Sequence, residues 1–330
     1  MKRTSLFASV LAFSLLPTMT ALASPPVNVI QAFNPAYGQL PESITADDAG
    51  NLYFSMAGAI HKYTTDHQIV QLAAIPVPVQ QGASVGGVKV GPEGYIYATV
   101  ASFNPALSVS SVWRVSPDGQ QVNQFVSFPS DSLPNDLVFD PQGNMYITDS
   151  SKGQIWKVDQ TGKAEVWLTH TLLAGSVEAP VAGSPLGANG IAFDRFRRHL
   201  YVMNTDFGRI VRIGFRHGCP HGIKVVTTND LLKGGDGIAF DVLGNIYVAN
   251  NGTDRILVVS PFGGSVAVLV DGAPLDSPSS LVFGTAHHDR HTLYVTNFAI
   301  MRFNGFKPGA PQPSLVSLPV IFPGLDLVLP

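Results

Sequence analysis

The chain has 330 residues, with 20 Lys or Arg against 23 Asp or Glu, and a formal charge of -3 excludes nucleic-acid binding through a basic field. Charged residues are only 13% and hydrophobic ones 45%, too apolar for a disordered chain, while 32 Gly and 25 Pro punctuate it too often for a helical one. Short strands joined by many turns are the expectation.

Residues 1–23 read as a secretory signal. Lys2 and Arg3 precede an apolar run from Leu6 to Leu16, and Ala21-Leu22-Ala23 supplies the small residues of a cleavage site. Cleavage near Ala23 would deliver a secreted or periplasmic chain. The run is shorter than the ~20 residues that span a bilayer, so no membrane span is expected in the mature protein. The single cysteine, Cys219, excludes an internal disulfide, and stability must come from a large core.

A phrase of small or polar residue, apolar, any, apolar, then Gly-Asn-apolar-Tyr or a variant of it recurs six times. The copies are PESITADDAGNLYFS from Pro41, GGVKVGPEGYIYATV from Gly86, NDLVFDPQGNMYITDS from Asn135, NGIAFDRFRRHLYVMNT from Asn189, DGIAFDVLGNIYVANN from Asp236 and SSLVFGTAHHDRHTLYVTN from Ser279. Their leading residues are Glu42, Gly86, Asn135, Asn189, Asp236 and Ser279, spaced by 44, 49, 54, 47 and 43 residues. That period suits one four-stranded propeller blade per repeat. Within a period the apolar positions alternate over four runs, strands A to D, separated by turns such as Ser116-Pro117-Asp118-Gly119. The fold class is therefore all-β, a six-bladed β-propeller of four-stranded antiparallel blades over residues 24–310. A D-type run, Val27 to Phe33, precedes the first leading residue and should close the last blade. Residues 311–330 form an apolar, Pro-rich tail expected to pack on the propeller, with a further D-like run at Ser314 to Val320 as an extra edge strand or a covering arm.

Strand A lines the tunnel of a propeller, so the six leading residues should form a ring at its mouth. Glu42, Asn135, Asn189 and Asp236 would bring two carboxylates and two amide carbonyls together in a low dielectric, an arrangement that calls for a cation. Oxygen-only donors in an irregular ring favour one Ca2+ ion. Gly86 and Ser279 leave part of the ring open. Long loops on the same face should wall the pocket, one carrying Phe103 and another, Thr169 to Ala188, carrying His170 and Glu178. His170 is the candidate auxiliary base. Asp149, Asn204, Asn250 and Asn297 end the B strands and either back the ligands or start the next turns.

These residues resemble the calcium ring of the six-bladed senescence-marker-protein/gluconolactonase family and its paraoxonase relatives, through Glu42 in PESI, Asn135 in PNDLVFDPQGNMYITD, Asn189 in ANGIAFD and Asp236 in GDGIAFDVLGNIYVAN. The resemblance covers essentially the whole mature chain. It implies a calcium-dependent hydrolase of lactones or related esters, in which the ion acts as a Lewis acid and Asp236 is both ligand and general base. Ser84, Phe103 and Asn250 are the candidate substrate contacts. The chain departs from the family at blade two, where Ser84 and Gly86 replace its Arg and Asn or its His, and at Asp136, where the family has Gly. The partner expected is a small-molecule lactone or ester, bound by a monomer. Two other classes remain: a non-catalytic ligand- or protein-binding propeller braced by the ion, and a condensing or cyclising enzyme resembling strictosidine synthase.

Three further patterns carry less weight. Gly82-Ala83-Ser84-Val85-Gly86 matches G-x-S-x-G but leads into a strand, where a serine elbow needs a strand-to-helix turn. His217, Cys219 and His221, and the cluster of His287, His288 and His291, fall in turns opposite the ring and read as solvated. Asn251-Gly252-Thr253 is a glycosylation sequon.

Overall fold

The computed structural model describes residues 24–325 except 105, 182 and 217, so the secretory signal, His217 and residues 326–330 lie outside the described part. Six sheets of four antiparallel strands make six blades, each running A to D from the axis outward. Blade one is Ile44–Ala46, Leu52–Met56, Ala59–Tyr63 and Ile69–Ala74; blade two is Ala83–Val90, Ile96–Ser102, Ser111–Val115 and Val122–Ser127. Blade three is Pro134–Phe139, Met145–Asp149, Gln154–Val158 and Ala164–Thr169; blade four is Ala188–Phe193, His199–Asn204, Arg209–Arg216 and Cys219–Thr228. Blade five is Gly235–Phe240, Ile246–Asn250, Arg255–Val259 and Val266–Asp271.

Blade six takes its first two strands from Pro278–Phe283 and Thr292–Asn297, its third from Ser314–Pro319, and its fourth from Asn28–Ala32 at the other end of the chain. The N-terminal strand thus closes the ring as the sequence implied. Its register on the third strand runs from Asn28 opposite Ser317 to Ala32 opposite Ser314. The D-like run at 314–320 is neither an extra edge strand nor a covering arm. It is inserted between Thr292–Asn297 and Asn28–Ala32, with Leu315, Val316 and Leu318 fully buried. Only beyond it does the chain lie on another blade, where Val242 N–H donates to Pro323 O at 3.0 Å and Leu325 N–H to Phe240 O at 3.0 Å.

The blades stack face to face, so B strands are covered on both sides and read as apolar runs; Leu52–Met56, Met145–Asp149 and Ile246–Asn250 are buried throughout. D strands lie on the rim and are largely exposed. The Gly-Asn-apolar-Tyr phrase is explained by the A–B turn. Asp47 accepts the Asn51 backbone N–H and side-chain amide, each at 2.8 Å, and the Tyr53 hydroxyl at 2.9 Å. Asp140 repeats the pattern with Asn144 and Tyr146, and Asp241 with Asn245. Gly50, at φ +89°, takes the left-handed position that this turn requires.

Ala83–Val90 is strand A of blade two and no helix follows it, so the G-x-S-x-G match has no nucleophile elbow. Cys219 and His221 open the outer strand of blade four. His287, His288 and His291 are exposed around the buried Asp289, and among the described residues no three His, Cys, Asp or Glu side chains are grouped to hold a metal. Among the described residues no helix is long and apolar enough to cross a membrane.

Leu318→Ala should cost about 2–5 kcal/mol in urea unfolding, because it opens a cavity in blade six. Val29→Ala, on the half-exposed face of the closing strand, should change stability by no more than ~0.5 kcal/mol. Equal small effects at both positions would contradict the inserted third strand.

Candidate functional site

The A strands do not pair regularly with their B strands at the ring. Register slips between Val85 and Val88, Pro134 and Leu137, Ala188 and Ile191, Gly235 and Ile238, and Pro278 and Ser280. Each slip is a bulge that frees the leading residue from the ladder, a device that re-aims side chains. The residue after the leading one is then pressed against the next blade. A Cβ on Gly87 would lie 2.3 Å from Asn135 O, on Gly190 2.4 Å from Asp236 O, and on Gly237 2.8 Å from Ser279 O. Hydroxyls on the B strands hold carbonyls of the leading residues. Ser55 donates to Gly86 O, Thr99 to Asn135 O and Thr148 to Asn189 O, each at 2.7 Å, and Thr296 donates to Glu42 O at 2.9 Å.

Glu42, Asn135, Asn189, Asp236, Ser279 and also Asp136 line a common cleft at the axis. It encloses about 10 Å³, room for one small ion or water and too little for a substrate. Ser279 Oγ bonds Glu42 O, so its hydroxyl proton serves the ring. Gly86 lies beside the ring, with a Cβ built there 3.8 Å from Glu42 Oε2.

The electrostatics are unbalanced. Burial, and then the charges of Asp236 and Asp136, push the Glu42 carboxyl well above its usual range. Burial, and then Asp136, push Asp236 up to about 8, although amide hydrogen bonds from Asn251 and Asn189 work the other way. No Lys, Arg or His lines the cleft. Glu42 Oε2 and Asn189 Oδ1 are buried without a hydrogen-bond partner, while Asn189 Nδ2 donates to Thr205 Oγ1 at 2.9 Å. Orphaned acceptors beside like charges in a buried oxygen-only site fit a hard cation such as Ca2+.

The other candidates lie elsewhere. His170 begins the loop after blade three, its Nδ1 accepts the Leu172 N–H at 3.0 Å, and it does not line the cleft. Ser84 is exposed on the first hairpin of blade two, where Ala83 pairs with Ser102 and Ser84 with Ala101 above the bulge, and Phe103 is exposed just past the end of that hairpin's second strand. Neither lines the cleft. Asn250 is fully buried and gives its amide protons to Leu231 O at 2.8 Å and Lys233 O at 3.0 Å, while its Oδ1 accepts the Thr253 N–H. It fastens the preceding loop and faces no substrate. Asn204 does the same with Leu172 O and Ala174 O, Asn297 with Pro274 O, and Asp149 with the Leu133 N–H.

Sequence reasoning missed two contacts. Asn251 Nδ2 reaches Asp236 Oδ2 at 3.3 Å, so the sequon asparagine faces the ring. Asp136, noted only as a departure, is a third carboxylate of the cleft. Two loops approach each other outside the cleft: Phe306, in the segment between the second and third strands of blade six, reaches to 4.0 Å from a Cβ built on Gly183. Arg302 and Lys307 pin the first loop to Asp254 at 2.9 and 2.8 Å, and Asp206 holds the second through the amides of Ser176, Val181 and Leu186. Glu178 is exposed on that second loop. A cavity of about 790 Å³ with Phe139, Phe193, Phe240 and Phe283 in its wall opens at the opposite ends of the A strands, away from these carboxylates.

The SMP-30/Gluconolactonase/LRE-like region model matches residues 40–299. The chain belongs to this family. It is 24% identical over 187 residues to Lactonase drp35 of Staphylococcus epidermidis, a match that spans 53% of each chain, so about half the length of that relative is covered. Among solved structures, a gluconolactonase from Xanthomonas campestris superposes with a TM-score of 0.62 at 16% identity, covering 93% of this chain and 94% of the other. Regucalcin of Agrobacterium tumefaciens, described as a calcium-binding protein, superposes at 0.59 and 17% identity over 91% and 97%. At these identities the structural likeness shows the fold.

Without a cation the raised carboxyls make stability depend on pH. The folded state keeps protons that the unfolded chain has released, so stability falls as pH rises from the ordinary carboxylate range, about 4, toward the folded value of about 8. Melting in EDTA should therefore drop between pH 5 and 8, and Asp236→Asn should flatten that slope. A parent slope of opposite sign would remove the buried-carboxylate description.

Proposed function

We propose that the protein is an exported, calcium-dependent hydrolase that opens lactones or related esters at the tunnel mouth. The observation that carries this reading is the pair of orphaned acceptors, Glu42 Oε2 and Asn189 Oδ1, beside Asp236 in a cleft without a basic group. Family membership supports the reaction class, and the pattern of residues 1–23 supports export. Glu42, Asn135, Asn189 and Asp236 would hold the ion. When bound, it supplies Lewis acidity toward a carbonyl oxygen and toward the negative charge that water attack creates.

The protein's own groups do the rest. Asn251 fixes one oxygen of the Asp236 carboxylate and leaves the other for the cleft, where it takes the proton of the attacking water. Because the cleft holds no more than an ion or a water, the organic part of the substrate rests above it, against Ser84 and Phe103 and under the meeting of Phe306 with the Gly183 loop. Those loops limit water at the reacting carbonyl. A monomer suffices, since every group named comes from one chain. Gly86 favours a second reading, a ligand-binding propeller braced by the ion, because blade two offers no polar side chain at the ring.

The test is a melt with EDTA and with Ca2+, run beside a panel of lactones and aryl esters. A calcium-dependent melt is expected together with calcium-dependent turnover, and Asp236→Asn or Glu42→Gln should lower kcat/KM at least about a hundredfold. A calcium-dependent melt with no turnover across the panel would favour the binding propeller. The absence of any calcium effect would remove the ring from the mechanism.

A further inference from the structure

Asp136 occupies a position that blades two, four and five give to glycine, because a side chain there runs into the next blade's carbonyl. Blade three accommodates it by turning the carboxylate into the seam with blade four. One oxygen accepts the Leu137 N–H at 2.8 Å and the other the Ile191 N–H at 3.2 Å. Both oxygens are thus engaged by main-chain amides, yet the residue lines the same cleft as Glu42 and Asp236, and no cationic side chain stands in that wall. A separate observation points to a ligand at this place: Asn189, only 4% exposed and in the same wall, leaves its Oδ1 without a partner.

We propose that Asp136 acts on the cation of the ring through space, as a third negative charge that sets the affinity and the charge preference of the site without ligating the ion. The inference rests on the calcium reading above and adds to it a residue outside the four-member ring. Its physical basis is Coulomb's law, under which the contribution of a fixed charge scales with the charge of the ion, and a buried charge is weakly screened. Removing Asp136 must therefore weaken a trivalent ion more than a divalent one. A merely structural role would weaken both alike.

The experiment titrates the full mature chain, stripped with EDTA, with Ca2+ and separately with Tb3+, for the parent, Asp136→Asn and Asp136→Gly. The glycine variant restores what three other blades carry and guards against misfolding of the asparagine variant, and circular dichroism in EDTA checks both. Expected is a loss of about tenfold or more in Ca2+ affinity with an unchanged number of ions bound. The Tb3+ loss should be about 1.5 times as large on a logarithmic scale, so a tenfold Ca2+ loss pairs with about thirtyfold for Tb3+. Affinities within twofold of the parent, or equal losses for the two ions, would overturn the inference. So would the disappearance of one bound ion per chain, which would make Asp136 a ligand. If the parent itself binds neither ion, the ring reading fails first and this inference goes with it.

Discussion

Neighbouring A strands approach so closely at the axis that a side-chain carbon on Gly87, Gly190 or Gly237 would collide with the next strand's carbonyl oxygen, and the hydroxyls of Ser55, Thr99, Thr148 and Thr296 bond carbonyls of the same ring. In blades two to six the A strand leaves its ladder there for one or two residues. The bulges go with it and free Asn135, Asn189 and Asp236, while Glu42 reaches the same cleft from just before strand Ile44–Ala46. Once they converge, burial and mutual repulsion raise two carboxyls and strand two acceptors, so the geometry that closes the propeller also creates its demand for positive charge.

The repeat was legible because a blade is one supersecondary unit written six times. In blades one, three and five the turn that joins A to B carries Asp, Gly, Asn and Tyr at fixed offsets, which makes the period easy to find. The ring was legible for a related reason, since the leading residue always falls two positions before the first apolar residue of its A-strand run. The third strand of blade six was not. It follows a long segment that includes the short helix Ile300–Phe303, and alternation alone cannot say whether Ser314–Pro319 pairs inside a sheet or at its edge.

Side-chain direction was the other thing the residues withheld. An asparagine at the end of a B strand looks the same whether it faces a ligand or its own loop, and pairing geometry sends Asn250 to the loop and Asn251 to Asp236. Asp136 was visible as a departure, but its place in the cleft depends on a bulge, which is a property of two strands in register. The blade-two departure has its own outcome: Gly86 brings no side chain to the ring, and Ser84 is exposed and does not line the cleft.

The closing blade also sets an order on assembly. Its outermost strand, Asn28–Ala32, precedes the other five blades in the chain, and the strand it must pair with, Ser314–Pro319, follows them. Until residue 319 has emerged, blades one to five can form by local pairing, but the two ends of the array remain open edges. The final closure joins segments almost 300 positions apart, a contact of very high sequence separation whose loop-closure entropy is met by the buried Leu315, Val316 and Leu318. The two strands, latch and keeper, thus flank the other five blades in sequence, so the ring is complete only when both are in place.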